Sequence, residues 1–487
     1  MKSLTLLLIV LFCLSSIGKA QNYNDALILS EPGIYTGARA LGMGNSYTAL
    51  SDDFSGVIFN PAGLGLAKKF GLSVGVNGVS FDNSSTVFGS TFGSLQNTVN
   101  LNQFGFVFPV PTVQGSLVFA LGYNRVKDFN SISQFDGYNA GSNSMIQFMT
   151  GDVNDNIPFT NDIRLAYEIR DPNTESYIRD TTLINGLLNQ SGKTRINGSI
   201  GNWSFAGATE IVKGLFIGGT FNIISGTYKR DRDYYEADTK GIYGTNLELV
   251  PGDNTTRDFQ TFYLNDIIEW DLGGWDLKLG FLYNFGDILK FGGDVKFPSY
   301  YNIKESYYIT TSSVFGTNNN YDLDPPYLDK VEYEIKTPYE FSAGASLKLL
   351  ILTVNGSAKF IDYRQMEFTE GLGTDYRIER NKEINDLFRT AVTYNVGAEL
   401  KIPLLPIWAR AGAMYIQSPY ADDPTEFDKK YLTAGAGVMF GNIFKIDFAY
   451  AYGWWNDFYD NYGSNLSRVQ QEVTVHNYIL NISTSLN

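Results

Sequence analysis

The feature that most constrains this chain is a period-two alternation of apolar and polar residues, which recurs in segments of about ten residues. In residues 392–402, apolar residues occupy alternate positions and polar or small residues lie between them. Successive side chains of a β-strand point to opposite faces, so each such segment has one apolar and one polar face. The same division recurs in residues 117–123, 277–285, 352–360 and 444–452. Strands of soluble sandwiches are shorter, typically about 5–6 residues. The pattern therefore predicts an all-β fold, a transmembrane antiparallel β-barrel.

Short turns and long polar stretches alternate along the chain. The longest polar stretches cover residues 127–198 and 229–260. Bacterial barrels alternate short periplasmic turns with longer external loops, so six turns and seven loops predict fourteen strands with both termini on the periplasmic side. Tight turns are predicted at 109–115, 213–214, 286–287, 349–350, 403–406 and 441–442. Strands are predicted at 72–82, 99–109, 115–126, 199–212, 215–229, 262–285, 288–309, 331–348, 351–368, 388–402, 407–417, 429–440, 443–455 and 472–484.

Aromatic residues cluster at the predicted strand ends, as at Trp408, Trp454, Trp455 and Tyr459. Aromatic side chains at the ends of membrane strands form girdles at the two lipid–water interfaces. We interpret these clusters as girdles, and stacking platforms for a ligand are the alternative.

The first twenty residues have the three regions of a secretory signal peptide. Lys2 supplies a positive start, residues 4–14 are apolar, and the small residues Gly18 and Ala20 precede the predicted cleavage site. The apolar run is too short to span a bilayer as a helix, although an uncleaved anchor stays open as the alternative. The only cysteine, Cys13, lies inside this run, so the mature chain is expected to have no disulfide and no thiolate metal site.

The remaining chain reads as one body, with no linker-like change in composition. Hydrophobic residues make up 44% and aromatic residues 15% of the sequence. The formal net charge is −14, and it becomes −16 when Lys2 and Lys19 leave with the signal peptide. No stretch concentrates lysine and arginine on one face, which argues against nucleic-acid binding. We therefore predict a signal peptide at 1–20, an N-terminal segment at 21–68 and a barrel at 69–487.

The N-terminal segment carries three short motifs before the first strand. They are a glycine-rich run at residues 37–44 (GARALGMG), an acidic Ser-Asp-Asp at residues 51–53, and Asn-Pro-Ala-Gly-Leu at residues 60–64. With these motifs the sequence resembles the FadL-type family of outer-membrane transporters for long-chain fatty acids and hydrocarbons. Residues 409–420 and 431–452 are similar to the last strands of that family.

The resemblance implies that the N-terminal segment is a hatch, which plugs the lumen of the barrel. It also implies passive passage of a hydrophobic molecule through an apolar interior site, with release sideways into the membrane. Pro61 fixes its own φ and disfavours the helical region for Asn60, whose side chain can satisfy main-chain groups locally. The alternative is that Asn-Pro simply forms a turn. The hatch and gating residues carried over are Asn60, Pro61 and Ala62, and the glycine-rich segment contributes Gly37, Gly42 and Gly44.

The sequence offers little chemistry for catalysis. The run Gly42-Met43-Gly44 has no surrounding βαβ unit and no following Lys-Ser/Thr, so it does not predict a nucleotide loop. The sole histidine, His476, lies on the predicted last strand, where a surface position is expected. The pairs Asp52-Asp53 and Asp422-Asp423 could bind a cation, but solvated acids are the preferred interpretation. We therefore predict no enzyme, no cofactor, no metal site and no catalytic residue.

Three functions fit these observations. The leading hypothesis is passive transport of hydrophobic molecules across the bacterial outer membrane, by a monomer in contact with outer-membrane lipid and lipopolysaccharide. The alternative is a secretion- or assembly-associated barrel, which binds a secreted or surface protein. A general porin is the third, but a plugged lumen argues against a water-filled channel. The sequence does not assign ligand-binding residues.

Overall fold

The computed structural model describes residues 21–34, 37–151, 159–286, 288–316, 318–441 and 443–486. The predicted signal peptide and the turn residues Asp287 and Asn442 lie outside these ranges. Among the described residues, no helix is long and apolar enough to cross a membrane.

Fourteen long strands form a single sheet. Several of them are interrupted once or twice, but both parts pair with the same neighbour, as Leu117–Asp128 and Ser131–Tyr138 both pair with Asn189–Val212. The strands are β1 Phe70–Val87, β2 Ser90–Val110, β3 Leu117–Asp128 with Ser131–Tyr138, β4 Asn189–Val212, β5 Leu215–Ala237, β6 Phe259–Phe285, β7 Leu289–Lys296 with Tyr300–Phe315, β8 Asn319–Asp322 with Tyr327–Lys336 and Glu340–Leu349, β9 Leu352–Asp362 with Glu367–Phe368, β10 Thr390–Lys401, β11 Ile407–Ile416, β12 Lys429–Phe440, β13 Phe444–Asp460 and β14 Arg468–Leu486.

The sheet closes into a barrel. Each strand pairs antiparallel with the next, and β1 pairs antiparallel with β14, from Phe70 opposite Leu486 to Thr86 opposite Gln470. The prediction of a closed antiparallel barrel of fourteen strands is therefore confirmed. Six of the connections between consecutive strands and both barrel termini lie at one end, which we call the turn end, and the other seven connections, which include the longest, lie at the opposite loop end.

Apolar side chains cover the outside of the barrel. On β10, Val396 is 57% exposed whereas Glu399 is 7% exposed, and on β6, Phe281 is 51% exposed whereas Lys278 is 5% exposed. The predicted division of faces is therefore confirmed. Soluble monomers rarely expose large continuous apolar surfaces. This apolar belt therefore marks the lipid-facing surface of a membrane barrel.

Strands extend further towards the loop end than the sequence predicts. Residues 83–98 are expected to be a long loop, but β1 and β2 continue through them to a two-residue turn at Phe88-Gly89, where both residues have positive φ. Residues 131–138 and 189–198, also expected to be loop, belong to β3 and β4. Apolar residues are sparse in these extensions, so the period-two alternation is incomplete there.

The interpretation of the aromatic clusters as girdles is partly wrong. Trp454 lies beside outward-facing Tyr452, with ring centroids 5.4 Å apart, as a girdle requires. Trp455 instead packs against inward-facing Tyr431, and Tyr459 shares a hydrogen bond with Ser133 inside the barrel. Neighbouring residues of a strand face opposite sides, so sequence proximity to Trp454 could not place Trp455 on the same surface.

Short helices lie in the N-terminal segment and in the connections at the loop end. The helices are α1 Tyr23–Ser30, α2 Ala38–Gly42, α3 Met145–Gly151, α4 Phe159–Asp162, α5 Thr374–Leu387 and α6 Gly463–Leu466, and 3-10 helices cover Phe54–Val57, Pro61–Leu66, Asn254–Thr256 and Tyr363–Gln365. A two-stranded sheet outside the barrel pairs Tyr167–Arg170 with Tyr177–Thr181.

Candidate functional site

The inner segment, which we define as described residues 21–34 and 37–67, lies in the lumen. Its 3-10 helix Pro61–Leu66 packs on β3, β4, β5 and β6, and its helix α2 packs on β11, β12, β13 and β14. A segment that contacts opposite walls of a closed barrel must lie inside it. The side chains from Ala38 to Leu50 are almost all buried.

Glycines line the wall where the inner segment crosses it. A Cβ atom added at Gly218 would lie 2.6 Å from the main-chain nitrogen of Ala62, and one at Gly280 would lie 2.1 Å from Oδ1 of Asn60. These separations are too short for any residue with a side chain, so glycine is required for the close approach. The wall is therefore shaped to the path of this segment. Further wall glycines with the same close approach are Gly292, Gly397 and Gly412.

Asn60 connects the inner segment to the wall. It is fully buried, and its Nδ2 donates to the carbonyl oxygens of Thr48 and of Phe281 in β6, both at 2.9 Å. Its Oδ1 accepts from the main-chain nitrogen of Ala62 at 3.1 Å and caps the 3-10 helix. Pro61 follows as the first residue of that helix, a position where its missing N–H costs nothing. The Asn60 side chain therefore caps the local turn, as predicted, and also hydrogen-bonds the segment to the barrel wall.

The three glycines carried over from the family motif lie at different points of the segment. Gly37 precedes α2, and Gly42 ends it. Gly44 has a φ of +60°, which favours glycine, and its nitrogen donates to Oγ1 of Thr433 in β12 at 3.0 Å. These positions give the glycine-rich run a definite path along β12.

A buried ion network fixes α2 to the wall. Arg39 pairs with Glu399 of β10 at 3.0 Å and with Asp52 of the inner segment. Arg410 of β11 pairs with Glu399 and with Asp447 of β13, both at 2.7 Å. Burial alone would raise the pKa of Asp52, but the Arg39 guanidinium outweighs this effect and the pKa is lowered. Asp52 is thus an ion-pair partner rather than a solvated acid.

Helix α1 lies nearer the loop end. Its first turn has a reciprocal cap, in which Asn22 accepts from the nitrogen of Asn24 at 2.8 Å and donates its own nitrogen to Asp25 at 2.9 Å. Gln21 donates to Glu305 of β7 at 2.6 Å. Burial raises the pKa of Asp25 well above its ordinary value, and the negative charge of Glu305 raises it further. The helix is therefore docked with a carboxyl group that resists ionisation.

An apolar cluster surrounds α1 inside the barrel. Leu27 of the helix belongs to it, together with buried side chains of seven strands, among them Trp270, Ile303, Tyr333 and Phe368. One acidic side chain, Glu305, lies within this cluster. Its carboxylate accepts from Trp270 Nε1 at 2.8 Å and from the Tyr333 hydroxyl at 3.0 Å. The lumen around α1, towards the loop end, is therefore lined mainly by apolar side chains.

A second apolar cluster closes the loop end. The described residues 139–151, 159–188 and 238–258 fold over the mouth and bury side chains such as Ile146 and Phe262. The buried Glu236 of β5 fixes this cover, since it accepts from Oγ of Ser144 and from the main-chain nitrogen of residue 145 at 2.8 Å. Access from the loop end therefore passes through a packed cover.

The barrel wall is interrupted between β2 and β3. Their hydrogen-bonded ladder runs from the turn end only as far as Gln103 opposite Asn124. Beyond this pair, Ser131–Tyr138 passes on the inner side of the β1–β2 hairpin, where the main-chain carbonyl of Ile132 accepts from the inward side chain of Asn83 at 3.0 Å. We call this break the wall gap.

Polar side chains bridge the wall gap, and apolar side chains border it outside. Asn100 donates to Asp128 at 3.2 Å, and Gln96 donates to Asn197 at 2.9 Å. On the outer surface of β2, Val99 is 80% exposed, and Leu95 and Leu101 are also exposed. The wall gap thus has polar bridges on its lumen side and exposed apolar side chains on its outer side.

The other predicted polar positions are structural. His476 faces outwards, where its ring shares a 2.7 Å hydrogen bond with the Tyr450 hydroxyl. This confirms the predicted surface position. Asp53 accepts from the Tyr47 hydroxyl at 2.8 Å, and Asp423 accepts from Ser418. Asp422 is exposed in a connection at the loop end.

No family model and no curated protein matches the sequence. Solved structures do match it. The chain superimposes on the P. putida toluene transporter TodX with a TM-score of 0.55 and 12% identity, over 92% of this chain and 98% of that one. A Pseudomonas aeruginosa FadL homologue gives 0.56 and 13%, over 93% and 98%. The Ralstonia pickettii toluene transporter TbuX gives 0.50 and 16%, over 93% and 98%. The chain has the FadL-type fold. At these identities the likeness establishes the architecture of an outer-membrane barrel.

Two sets of site residues escape sequence reasoning. The wall glycines are scattered over separate strands, and a glycine that faces an inner segment has the same sequence signature as one that faces lipid. The residues of the wall gap lie in polar extensions that carry no hydrophobic period. Asn100 lies in a stretch with several asparagine and glutamine residues. This composition is the same for a gap in the barrel wall as for an external loop, so it does not predict the gap.

Proposed function

We propose that the chain carries uncharged hydrophobic small molecules passively across the bacterial outer membrane. The observation that carries this proposal is that the apolar cluster around α1 includes Phe129 and packs against Val126, both beside the wall gap, whose outer border is apolar. A molecule released through the gap would enter the lipid directly, without crossing the polar groups at the turn end. The toluene transporters of the same fold support this choice, and no enzymatic reaction is proposed.

In this proposal, residues 21–68 form a hatch and residues 69–487 form the barrel. The gating residues are Asn60, Pro61 and Ala62, because they join the segment to β5 and β6, and Gly37, Gly42 and Gly44 guide its path along the opposite wall. Both termini of the barrel lie at the turn end, which we place in the periplasm because short turns face that side in bacterial barrels. The belt contacts outer-membrane lipid, and the extended loop end reaches the lipopolysaccharide.

The charges around the apolar cluster favour an uncharged ligand over a fatty-acid anion. Cations near the cluster form ion pairs: Arg230 and Arg232 both pair with Asp266, at 2.7 and 2.5 Å. Lys127 donates to the main-chain carbonyl of Glu31 at 2.6 Å. A ligand carboxylate would have to displace one of these partners, and its desolvation would be uncompensated until it did. We therefore propose hydrocarbons and related neutral molecules as ligands.

Uptake measurements test the proposal. Cells that express the wild type, the Asn60→Ala/Pro61→Ala double variant or no barrel are given labelled dodecane, toluene or dodecanoate. We expect the wild type to accelerate uptake of dodecane and toluene more than uptake of dodecanoate, and the double variant to change that rate. Heat-modifiable gel mobility shows whether each barrel is folded.

The outcomes separate the parts of the proposal. Equal uptake in all three strains for every probe would refute transport and favour a secretion- or assembly-associated barrel that binds a protein partner. Equal uptake by wild type and double variant, both above the control, would remove only the gating role of Asn60 and Pro61. Faster uptake of dodecanoate than of dodecane would refute the preference for uncharged ligands.

A further inference from the structure

Inward-facing asparagines form a row across the wall gap. Adjacent strands β14, β1, β2, β3 and β4 each contribute one of them, and each is at least nine-tenths buried. The five residues are Asn477, Asn77, Asn102, Asn124 and Asn202. This amide row is continuous from one side of the gap to the other.

Strand register places the row at the inner border of the gap. Asn124 lies opposite Asn202 on β4 and opposite Gln103 on β2, the pair at which the β2–β3 ladder ends. A bulge in β2 opposite Gly75 leaves Asn102 beside Gln103, so that two consecutive side chains are buried on the inner side. The row therefore borders the gap at the point where the β2–β3 ladder ends.

The amide row lacks hydrogen-bond partners. Neither amide atom of Asn77, Asn102 or Asn477 has a partner among the described residues. The same holds for Nδ2 of Asn124 and for Oδ1 of Asn202. Buried polar atoms without partners destabilise a fold, so native proteins rarely leave eight of them on five neighbouring residues. A ligand or water that visits the gap would supply the missing partners.

A neighbouring asparagine shows that the fold can satisfy such a side chain. Asn222 of β5, also inward-facing, accepts from the Ser204 hydroxyl at 2.7 Å and donates to Asp276 at 2.6 Å. Towards the loop end, the positions next to the row are apolar, with Val79 on β1 and Val475 on β14 both buried. The row is therefore a polar band with apolar side chains next to it on the side of the loop end.

We infer that the amide row binds the hydroxyl group of a neutral alcohol or phenol as the molecule passes through the wall gap. This inference rests on the proposed transport function and narrows its ligand class. Each amide offers a donor and an acceptor, and a hydroxyl group both donates and accepts. A hydrocarbon would leave the row unpaired. A carboxylate would meet the Asp128 side chain that bridges the gap.

Matched probes and matched variants test this inference. The probes are labelled dodecan-1-ol and dodecane, which share a chain length and differ in one hydroxyl group. The test variant is Asn77→Leu/Asn477→Leu, and the control is Asn222→Leu, which removes an amide that has partners. We measure uptake by cells and thermal unfolding of each purified barrel in detergent, with and without each probe.

We expect the double variant to unfold at the wild-type temperature or above it, because it loses unpartnered amides. Its dodecanol uptake should fall about tenfold, while its dodecane uptake stays unchanged, since two hydrogen bonds to the hydroxyl are lost. Asn222→Leu should unfold at a lower temperature and keep the wild-type ratio of dodecanol to dodecane uptake. Dodecanol should raise the unfolding temperature of the wild type but not of the double variant.

Several results would overturn the inference and leave transport standing. These are equal losses of dodecanol and dodecane uptake in the double variant, unchanged dodecanol uptake, or an unfolding temperature below that of Asn222→Leu. A row that binds only water would leave dodecanol without effect on the unfolding temperature of the wild type. If the wild type transports neither probe, the transport proposal fails, and the unfolding measurements still decide whether the amides bind a hydroxyl group.

Discussion

Replacing Asn60 by alanine should release the inner segment while the barrel stays closed. The substitution removes three hydrogen bonds of a fully buried side chain, two of 2.9 Å and one of 3.1 Å. A net hydrogen bond contributes about 1 kcal/mol, and a buried group left without a partner costs about 1–3 kcal/mol. We therefore expect the free energy that holds the inner segment against the wall to decrease by about 3–6 kcal/mol. None of these bonds belongs to the β1–β14 closure, so the strands should keep their pairing.

Hydrogen exchange of the barrel in lipid nanodiscs measures this release. Each loss of about 1.4 kcal/mol increases the open population tenfold, so main-chain exchange in residues 48–66 should become at least about a hundredfold faster. Exchange in β10 should not change. The matched control is Asn395→Ala, which removes an inward-facing asparagine with one hydrogen bond, 3.5 Å long, to the carbonyl of Asn45.

A change of less than about threefold in residues 48–66 would show that Asn60 does not hold the segment. Equal acceleration in Asn60→Ala and Asn395→Ala would assign the effect to general loosening of the lumen. Faster exchange in the strands as well would show that the segment and the barrel unfold together.

Three further outcomes follow from the structure. Val396→Lys should reduce folding yield in lipid far more than Asn395→Lys, because a lysine near the midplane of the lipid face costs about 2–4 kcal/mol; equal yields would contradict the face assignment. Gly218→Ala should expose the inner segment to protease, whereas Gly356→Ala, with no atom within 4 Å of the added methyl group, should not. The raised pKa of Asp25 means that docking of α1 is strongest when the carboxyl is protonated and weakens as the pH rises from about 4 through the raised value, so Asp25→Asn should reduce the pH dependence of α1 exchange.

The strand segments within the apolar belt can be predicted from the sequence. Within the belt, lipid on one side and lumen on the other impose period two on every strand, and β10 shows it along its whole length. The short turns at the turn end follow too, because they interrupt that period. Beyond the belt the constraint disappears: the ends of β1 and β2 carry serine, threonine and asparagine on both faces, and their pairing is fixed by main-chain hydrogen bonds.

The lumen could be predicted only in part. The Asn60-Pro61 pair predicts a local turn with a satisfied main chain, and the structure has one. The partner of Asn60 in the wall, the carbonyl of Phe281, lies more than two hundred residues away and has no side-chain signature. The amide row depends on a bulge beside Asn102 that sets the register of β2, and a shift of register by one residue would turn these side chains outwards.

The wall glycines constrain how this chain can change over generations. Gly218, Gly397 and Gly412 approach main-chain atoms of the inner segment, so they limit its path more than its choice of side chains. Side chains along residues 42–62 other than Gly44, Asp52 and Asn60 are less constrained than the path, but a residue inserted there would shift the main chain away from every glycine beyond it. Natural relatives should accordingly keep the length of this stretch fixed and vary in length mainly at the loop end.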